Sequence, residues 1–322
     1  MADVIGIGLA NIDLVAHIDD AFLKRHKVAK GGATKFDELS FARLRGDLNR
    51  FDAIPGGCAA NTICGLAAGG VSTAFYGKIG NDSFESLYRS SFTEYTVAYG
   101  VAPANKESSQ CAVLVTPDGE RSFAYMDGAS WSLEAADLDE TALKAAQMIC
   151  TEIYVFEFGH DKSTAKKVFQ CAESANVPVV MKVMDRDFAA RYSQNIRALT
   201  DAGIIRLIVG NHMNLPALTG TTGTDETLAA LAAWDCDTLM TANVGGAYYA
   251  SGGGITHYPI DPVAKPKNTT GAGDQFLAGF LTGQLDGRPV EECIAHGAFC
   301  AKAILMHDTA RPPLVNRHSI RF

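Results

Sequence analysis

The 322-residue chain is short of most features that assign a protein at sight. Its eight cysteines, Cys58, Cys64, Cys111, Cys150, Cys171, Cys236, Cys293 and Cys300, include no C-x-x-C pair, and most lie in apolar surroundings. That argues against a zinc site or a disulfide frame, and for reduced cysteines in the core. No block of five or more like charges occurs, and the net charge is -8. Without a basic patch to neutralise phosphates, nucleic acid and anionic membranes are poor partners. No basic leader and no long apolar run precede or follow Val4–Leu9, so neither a signal peptide nor a membrane span is expected, and the cytoplasm is. No G-x-x-x-x-G-K-[ST] string is present. His160, His212, His257, His296 and His307 are scattered without metal-ligand spacing, so no protein-held metal is expected. There is no internal repeat and no low-complexity segment.

What remains is an ordinary globular composition, 47% apolar and 20% charged, long enough for one large α/β domain with an appendage or for two domains. Val4–Leu9 reads as a buried strand. It ends in Gly8-Leu9-Ala10-Asn11, a G-x-G that lacks the third glycine of a dinucleotide fingerprint. Asp19 to Arg50 is polar, with helical spacing at Phe22 and Leu23 and again from Leu39 to Leu48, and reads as peripheral. Phe51–Ile54 returns to strand character. Ser109–Thr116 and Arg121–Met126 flank Pro117-Asp118-Gly119-Glu120, a hairpin signal. From there helices (Ala135–Met148, Ser163–Ala175, Asp187–Leu199, Thr224–Ala233) alternate with strands (Ile149–Phe156, Val177–Val183, Ile204–Val209, Thr238–Ala242). A second hairpin turns at Ser251–Gly254, and helices follow at Ala272–Leu285 and Val290–Met306. Alternating strands and helices imply a mostly parallel sheet covered on both faces.

Two stretches carry chemistry. The first is Lys267 to Phe280, where Thr269-Thr270-Gly271-Ala272-Gly273-Asp274 leads into an apolar run. Phe276 and Phe280, and Leu277, Leu281 and Leu285, are spaced as on a helix, with Thr269 or Thr270 as its cap. The first amides of a helix lack internal partners and carry the positive dipole end, and glycines let an anion approach them. Asp274 stands beside any such anion. A simple helix cap fits the string as well as a phosphate cradle with its base. The second stretch is Pro55-Gly56-Gly57-Cys58-Ala59-Ala60-Asn61, where a Gly-Gly turn opens a small-residue helix; plain turn chemistry fits it too. Lys182 and Asp185 end a parallel strand, where ligand clefts form; ligand contact and a local ion pair are both open.

Taken together and in order, these segments resemble the ribokinase-like (pfkB) carbohydrate kinases over nearly the whole chain. The resemblance rests on Gly56-Gly57 to Asn61 and on Thr269 to Phe280. It adds Asn11-x-Asp13, Asn211-His212-Met213-Asn214 in place of N-x-x-E, and Thr241-Ala242-Asn243-Val244-Gly245-Gly246 in place of T-x-G-x-x-G. It implies a single domain over residues 1–322, a doubly wound α/β core with a small β lid built from parts of 12–54 and 109–126. It implies that Asp13, Gly56, Gly57 and Asn61 hold the acceptor. Asp274 takes the hydroxyl proton, and the amides of Gly271, Ala272 and Gly273 receive the migrating phosphoryl group. Asn211, Asn214, Thr241, Asn243 and Gly246 lie along ATP, used with magnesium. Three residues depart from the pattern. Asn268 replaces an acid tied to a monovalent cation, which puts that cation in doubt. Asn214 replaces the N-x-x-E acid. Asn243 replaces a glycine but tolerates positive φ.

The insertion Asp19 to Arg50, with Ile18-Asp19-Asp20-Ala21-Phe22 and Ser109-Gln110-Cys111-Ala112, resembles the adenosine kinase branch. A nucleoside acceptor at its 5′-hydroxymethyl is therefore expected. A free-sugar kinase and a non-catalytic nucleotide or sugar binder are the alternatives. A monomer and a homodimer are both compatible with the sequence.

Overall fold

The strands that lack polar alternation go to the middle of one large sheet, in a computed structural model that describes residues 1–264 and 266–313. In chain order the strands are β1 (Val4–Ile7), β2 (Asn11–His17), β3 (Ala33–Phe36), β4 (Asp52–Gly56), β5 (Thr73–Tyr76), β6 (Ser109–Val115) and β7 (Arg121–Met126). They continue with β8 (Met148–Glu152), β9 (Val179–Val183), β10 (Ile205–Asn211), β11 (Asp237–Thr241), β12 (Ala247–Ser251) and β13 (Gly254–Tyr258). The large sheet runs β13-β12-β11-β10-β9-β8-β1-β5. Its pairs are parallel from β11 to β5, and the β12–β13 hairpin closes one edge antiparallel. A second, mixed sheet has the order β3-β7-β6-β2-β4.

Each central strand feeds two cores. Val4 faces the layer of Ile63 and Phe280, while Ile5 and Ile7 face that of Leu143, Val168 and Ile196. β9 divides the same way, Val180 to the first core and Val179, Met181 and Val183 to the second. In β10 a register irregularity between Ile205 and Leu207 resets the alternation, so these two residues face opposite cores. Burial on both faces is why such strands read as continuous apolar runs.

The helix Ala272–Leu285 packs between Cys58–Ala68 and Val290–Ile304, and Asp274 through Gly283 are all buried. Small side chains permit this: a Cβ at Gly65 would lie 2.6 Å from the Ala278 Cβ.

Several sequence expectations need correction. Residues 19–50 are not peripheral: Phe22, Leu23, Phe41 and Leu44, from the helices Asp20–His26 and Glu38–Gly46, join the first core, as does Leu48 just beyond the second helix. β3, between them, has only four residues, no buried ones, and gave no signal. The helix expected over Ala135–Met148 is a short 3-10 turn, Ala135–Asp137, and a separate helix, Glu140–Ala145. Asp139 breaks them apart by capping the second, accepting from the Thr141 and Ala142 amides. The strand expected to reach Phe156 stops at Glu152. The short helix Leu215–Thr219 also went unread. All eight cysteines are free thiols, and no helix among the described residues is long and apolar enough to cross a membrane.

Candidate active site

The turn after β4 builds one half of the site. Gly57 has φ +102°, and a Cβ there would lie 2.0 Å from the Leu9 carbonyl oxygen, so the turn closes only with glycine. The helix Cys58–Ala68 begins at once and buries Asn61 in its first turns. The Asn61 Nδ2 donates to Asp274 Oδ2 at 2.9 Å, and its Oδ1 accepts from Arg311 Nε at 3.1 Å. A guanidinium only donates and a carboxylate only accepts, so the two partners fix which end of the amide faces which. Asp13 lies opposite Ile54 in the β2–β4 pair, with Asn11 opposite Gly56. Asn11 Nδ2 donates to Asp13 Oδ1 at 2.6 Å, and the Asp13 carboxylate lies over the bare Gly56 Cα, where a Cβ would come within 2.6 Å.

The second half is the start of the helix Ala272–Leu285. Its N-cap is Gly271 at φ +82°, without a side-chain cap. Neither threonine caps it, against expectation. Thr270 Oγ1 accepts from Arg121 instead, and Thr269 offers its carbonyl to the Ala272 amide at 3.3 Å. The Gly273 and Asp274 amides have no acceptor within the helix and none outside it among the described residues. Open space at Gly273 leaves them approachable. Bare amides at a helix start form an anion site.

Asp274 is 5% exposed, with Asn61 on Oδ2 and the Lys182 ammonium on Oδ1. Lys182 therefore forms no local pair with Asp185. That carboxylate caps the helix Arg186–Asp201, accepting from the Asp187 and Phe188 amides at 2.9 and 3.0 Å. Glu152, at the end of β8, accepts from the Leu9 amide at 2.6 Å and the Ala59 amide at 3.1 Å. Burial pushes Asp13 up to about 7, against the Asn11 hydrogen bond and Arg311, with Asp274 adding to the rise. Burial does the same to Glu152, also to about 7, despite its two amide donors and nearby Lys182. For Lys182 burial favours the neutral form, but the Asp274 carboxylate outweighs it and the ammonium is held above its ordinary range. Burial raises the Cys58 thiol well above its usual value, so it is neutral here.

Beyond the cradle opens a cavity of about 580 Å³, lined by Asn211, Thr241, Asn243 and Gly246 on one side and by Thr269, Ala272, Gly273 and Phe276 on the other. Asn243 adopts φ +49°, the left-handed conformation its loop requires, so the loss of glycine leaves the turn intact. Asn211 Oδ1 is spent on the Met213 and Asn214 amides, both at 2.9 Å, and Asn214 is not among the lining residues. The described residues contain no cluster of three metal-ligating side chains. They do not fit a magnesium ion caged by protein, and any such ion would ride on the nucleotide's phosphates and water.

Arg121, the first residue of β7, reaches from the second sheet to the loop ahead of the cradle. Its Nη1 donates to Asn268 Oδ1 at 2.5 Å and to Thr270 Oγ1 at 2.8 Å. The Asn268 Oδ1 also accepts from the Thr270 amide, and its Nδ2 donates to the Asp308 carbonyl. No carboxylate among the described residues pairs with Arg121, so its charge is uncompensated at the edge of the cradle. Arg121, Glu152 and Arg311 were not singled out from sequence. For Glu152 one signal was available, an acid ending an otherwise apolar strand; single arginines in polar segments offered none.

The chain resembles known proteins over most of its length. A model of the pfkB family carbohydrate kinases matches residues 26–316. A Klebsiella pneumoniae fructokinase is 26% identical over 236 residues, 71% of this chain and 76% of that protein. Among solved structures, an adenosine kinase from Sinorhizobium meliloti superposes with a TM-score of 0.90 at 26% identity, covering 99% of this chain and 98% of that one. A probable sugar kinase from Rhizobium etli gives 0.87 at 26% identity, covering 97% and 95%. The chain belongs to the pfkB family of carbohydrate kinases, phosphotransferases that act on an alcohol group.

Proposed function

We propose that the chain transfers the γ-phosphoryl group of ATP to the 5′-hydroxymethyl of a nucleoside. The nucleotide occupies the cavity beside Thr241, Asn243 and Gly246, with its terminal phosphate at the Gly271–Asp274 amides. The acceptor lies against Asp13, Gly56, Gly57 and Asn61. Its hydroxyl oxygen bonds to the γ-phosphorus as the bond to the ADP oxygen breaks, and its proton passes to Asp274. Aligned donors that need no reorganisation suit this reaction, which demands positioning and charge stabilisation more than covalent help. Arg121 adds positive charge at the same anion. The second sheet is the lid, and its closure keeps water, the competing acceptor, away. Asn268 offers no charge and its Oδ1 already takes two hydrogen bonds, so no monovalent-cation requirement is expected.

The observation that carries the nucleoside reading is an aromatic trio at the C-terminal rim of β8 and β9. Tyr154, two residues beyond Glu152, meets Phe188 at 4.9 Å and Trp131 at 5.6 Å between ring centroids, and all three rings are half-buried. Partly open aromatic faces beside a polar pocket offer a nucleobase a stacking surface. The S. meliloti adenosine kinase likeness supports the same reading. A free sugar is the second reading, favoured by the polar groups Asp13, Glu152 and Lys182 and by the fructokinase relative. A coupled assay of ADP release over nucleosides and free sugars decides between them. Turnover with adenosine, inosine or guanosine is expected; turnover of ribose or fructose with none on nucleosides would replace this reading by the second.

A further inference from the structure

A lysine in the middle of the large sheet is out of place by composition. β9 is hydrogen-bonded to β8 on one side and β10 on the other, and its other residues, Val179, Val180, Met181 and Val183, are buried hydrophobics. Lys182 is 8% exposed and sends its ammonium to Asp274 Oδ1. Isolated buried charges are retained only when paired. The pair is held on rigid elements, a central strand and the first turn of a buried helix.

The surroundings of Asp274 are acidic. Asp13 faces it from β2 and Glu152 from β8, beside the neutral thiols of Cys58 and Cys150, with the Arg311 guanidinium behind Asn61. The Asn61 amide, itself held by Arg311, and Lys182 are the groups that donate to it. Two carboxylates of this pocket without a direct ammonium contact, Asp13 and Glu152, are driven up to about 7. A carboxylate next to a triphosphate meets still more negative charge. Burial is the main cause of the rise at Asp13 and Glu152, and Asp274 is buried too, so something must offset the cost of burial for it to remain a base.

We infer that Lys182 is a positioning residue that keeps the Asp274 carboxylate ionised and aimed inside an otherwise acidic pocket. The inference rests on the reading of Asp274 as the base. Lys182 remains an ammonium throughout; the acceptor's proton goes to Asp274, and no bond to Lys182 forms or breaks. Of its three N–H donors, Asp274 is the one acceptor recorded among the described residues, which leaves two for water or for oxygens of the acceptor.

A carboxylate acts as a base only when ionised, and an adjacent cation favours the ionised form. Removing the cation disfavours that form, so activity is lost first on the acid side. In Lys182→Met the acid limb of kcat/KM should move up by at least about one pH unit, with a tenfold or greater deficit near pH 6.5 that narrows toward pH 8.5. Lys182→Arg should restore the limb. A fall of equal size at every pH, with the limb unmoved, would overturn the inference and leave Lys182 a structural residue. Infrared titration of the wild type against Asp274→Asn needs no Lys182 variant to fold. The carboxylate band that Asp274→Asn removes should be present in the wild type at pH 7, and its absence there would overturn the inference as well. A wild type that phosphorylates no acceptor would instead sink the proposed function, and the infrared titration would still decide the charge state of Asp274.

Discussion

Asp13 and Asp274 are both acids of one pocket, yet their electrostatic settings differ. Asp274 has an ammonium and an amide on its two oxygens, whereas Asp13 has one asparagine and a burial cost that wins. Two predictions separate them. Asp274→Asn should lower kcat by roughly 10²–10⁴, the range for a lost general base, while the stabilisation of the protein by an ATP analogue is retained. Loss of nucleotide binding together with rate would assign Asp274 to the cradle rather than to proton transfer. Asp13 behaves differently because its folded pKa, about 7, lies above the unfolded value. The folded state binds more protons than the unfolded state between about pH 4 and 7, so this group's contribution falls as pH rises through that window. Asp13→Asn removes the cost of ionising it. Thermal melts should show the variant gaining on the wild type at pH 8 relative to pH 5.5, and losing acceptor turnover.

At the scale of elements, the cradle depends on how one helix begins. Gly271 holds φ +82°, and a Cβ there would lie 2.6 Å from the carbonyl oxygen of Ala310. Gly271→Ala should destabilise the protein by about 1–3 kcal/mol and lower kcat through displacement of the Gly273 and Asp274 amides. Calorimetry and steady-state rates test it; unchanged values of both would mean the loop relaxes without moving the amides. Much of this element was legible in the sequence, because Phe276, Leu277, Phe280 and Leu281 repeat at the helical period and a helix is a local object. The same holds for the parallel strands and for the Gly56–Asn61 turn. The capping expectation failed at Thr270 because Arg121, 149 residues before it, takes its hydroxyl as acceptor. The Ala135–Met148 helix failed for a local reason, since the Asp139 cap starts a new helix inside an apolar pattern that looked continuous. Lys182 could be noticed as a charge in an apolar strand, but its partner could not, since nothing local joins β9 to residue 274.

At the scale of the molecule, the second sheet reaches the loop before the cradle through Arg121, which donates to Asn268 and Thr270. If that contact couples lid to nucleotide, an ATP analogue and a nucleoside added together should stabilise the wild type by more than the sum of each alone. A ligand at a hundred times its Kd contributes about 2.7 kcal/mol by mass action, so an excess over additivity is measurable by thermal shift. Arg121→Ala should return the two shifts to additivity; an undiminished excess would place the coupling elsewhere.

The span between Asn61 and its partners has a consequence in time. Asp274 lies 213 residues after Asn61, and Arg311 lies 250 after it. A ribosome therefore makes the acceptor turn long before it makes either group that orients the Asn61 amide. Until the chain has emerged past Asp274, the half-made protein holds the Gly56–Asn61 turn without the carboxylate it faces, and until Arg311 follows, the Asn61 amide lacks its second partner. A nascent chain arrested before Asp274 should lack phosphoryl transfer, so the site is completed only late in synthesis.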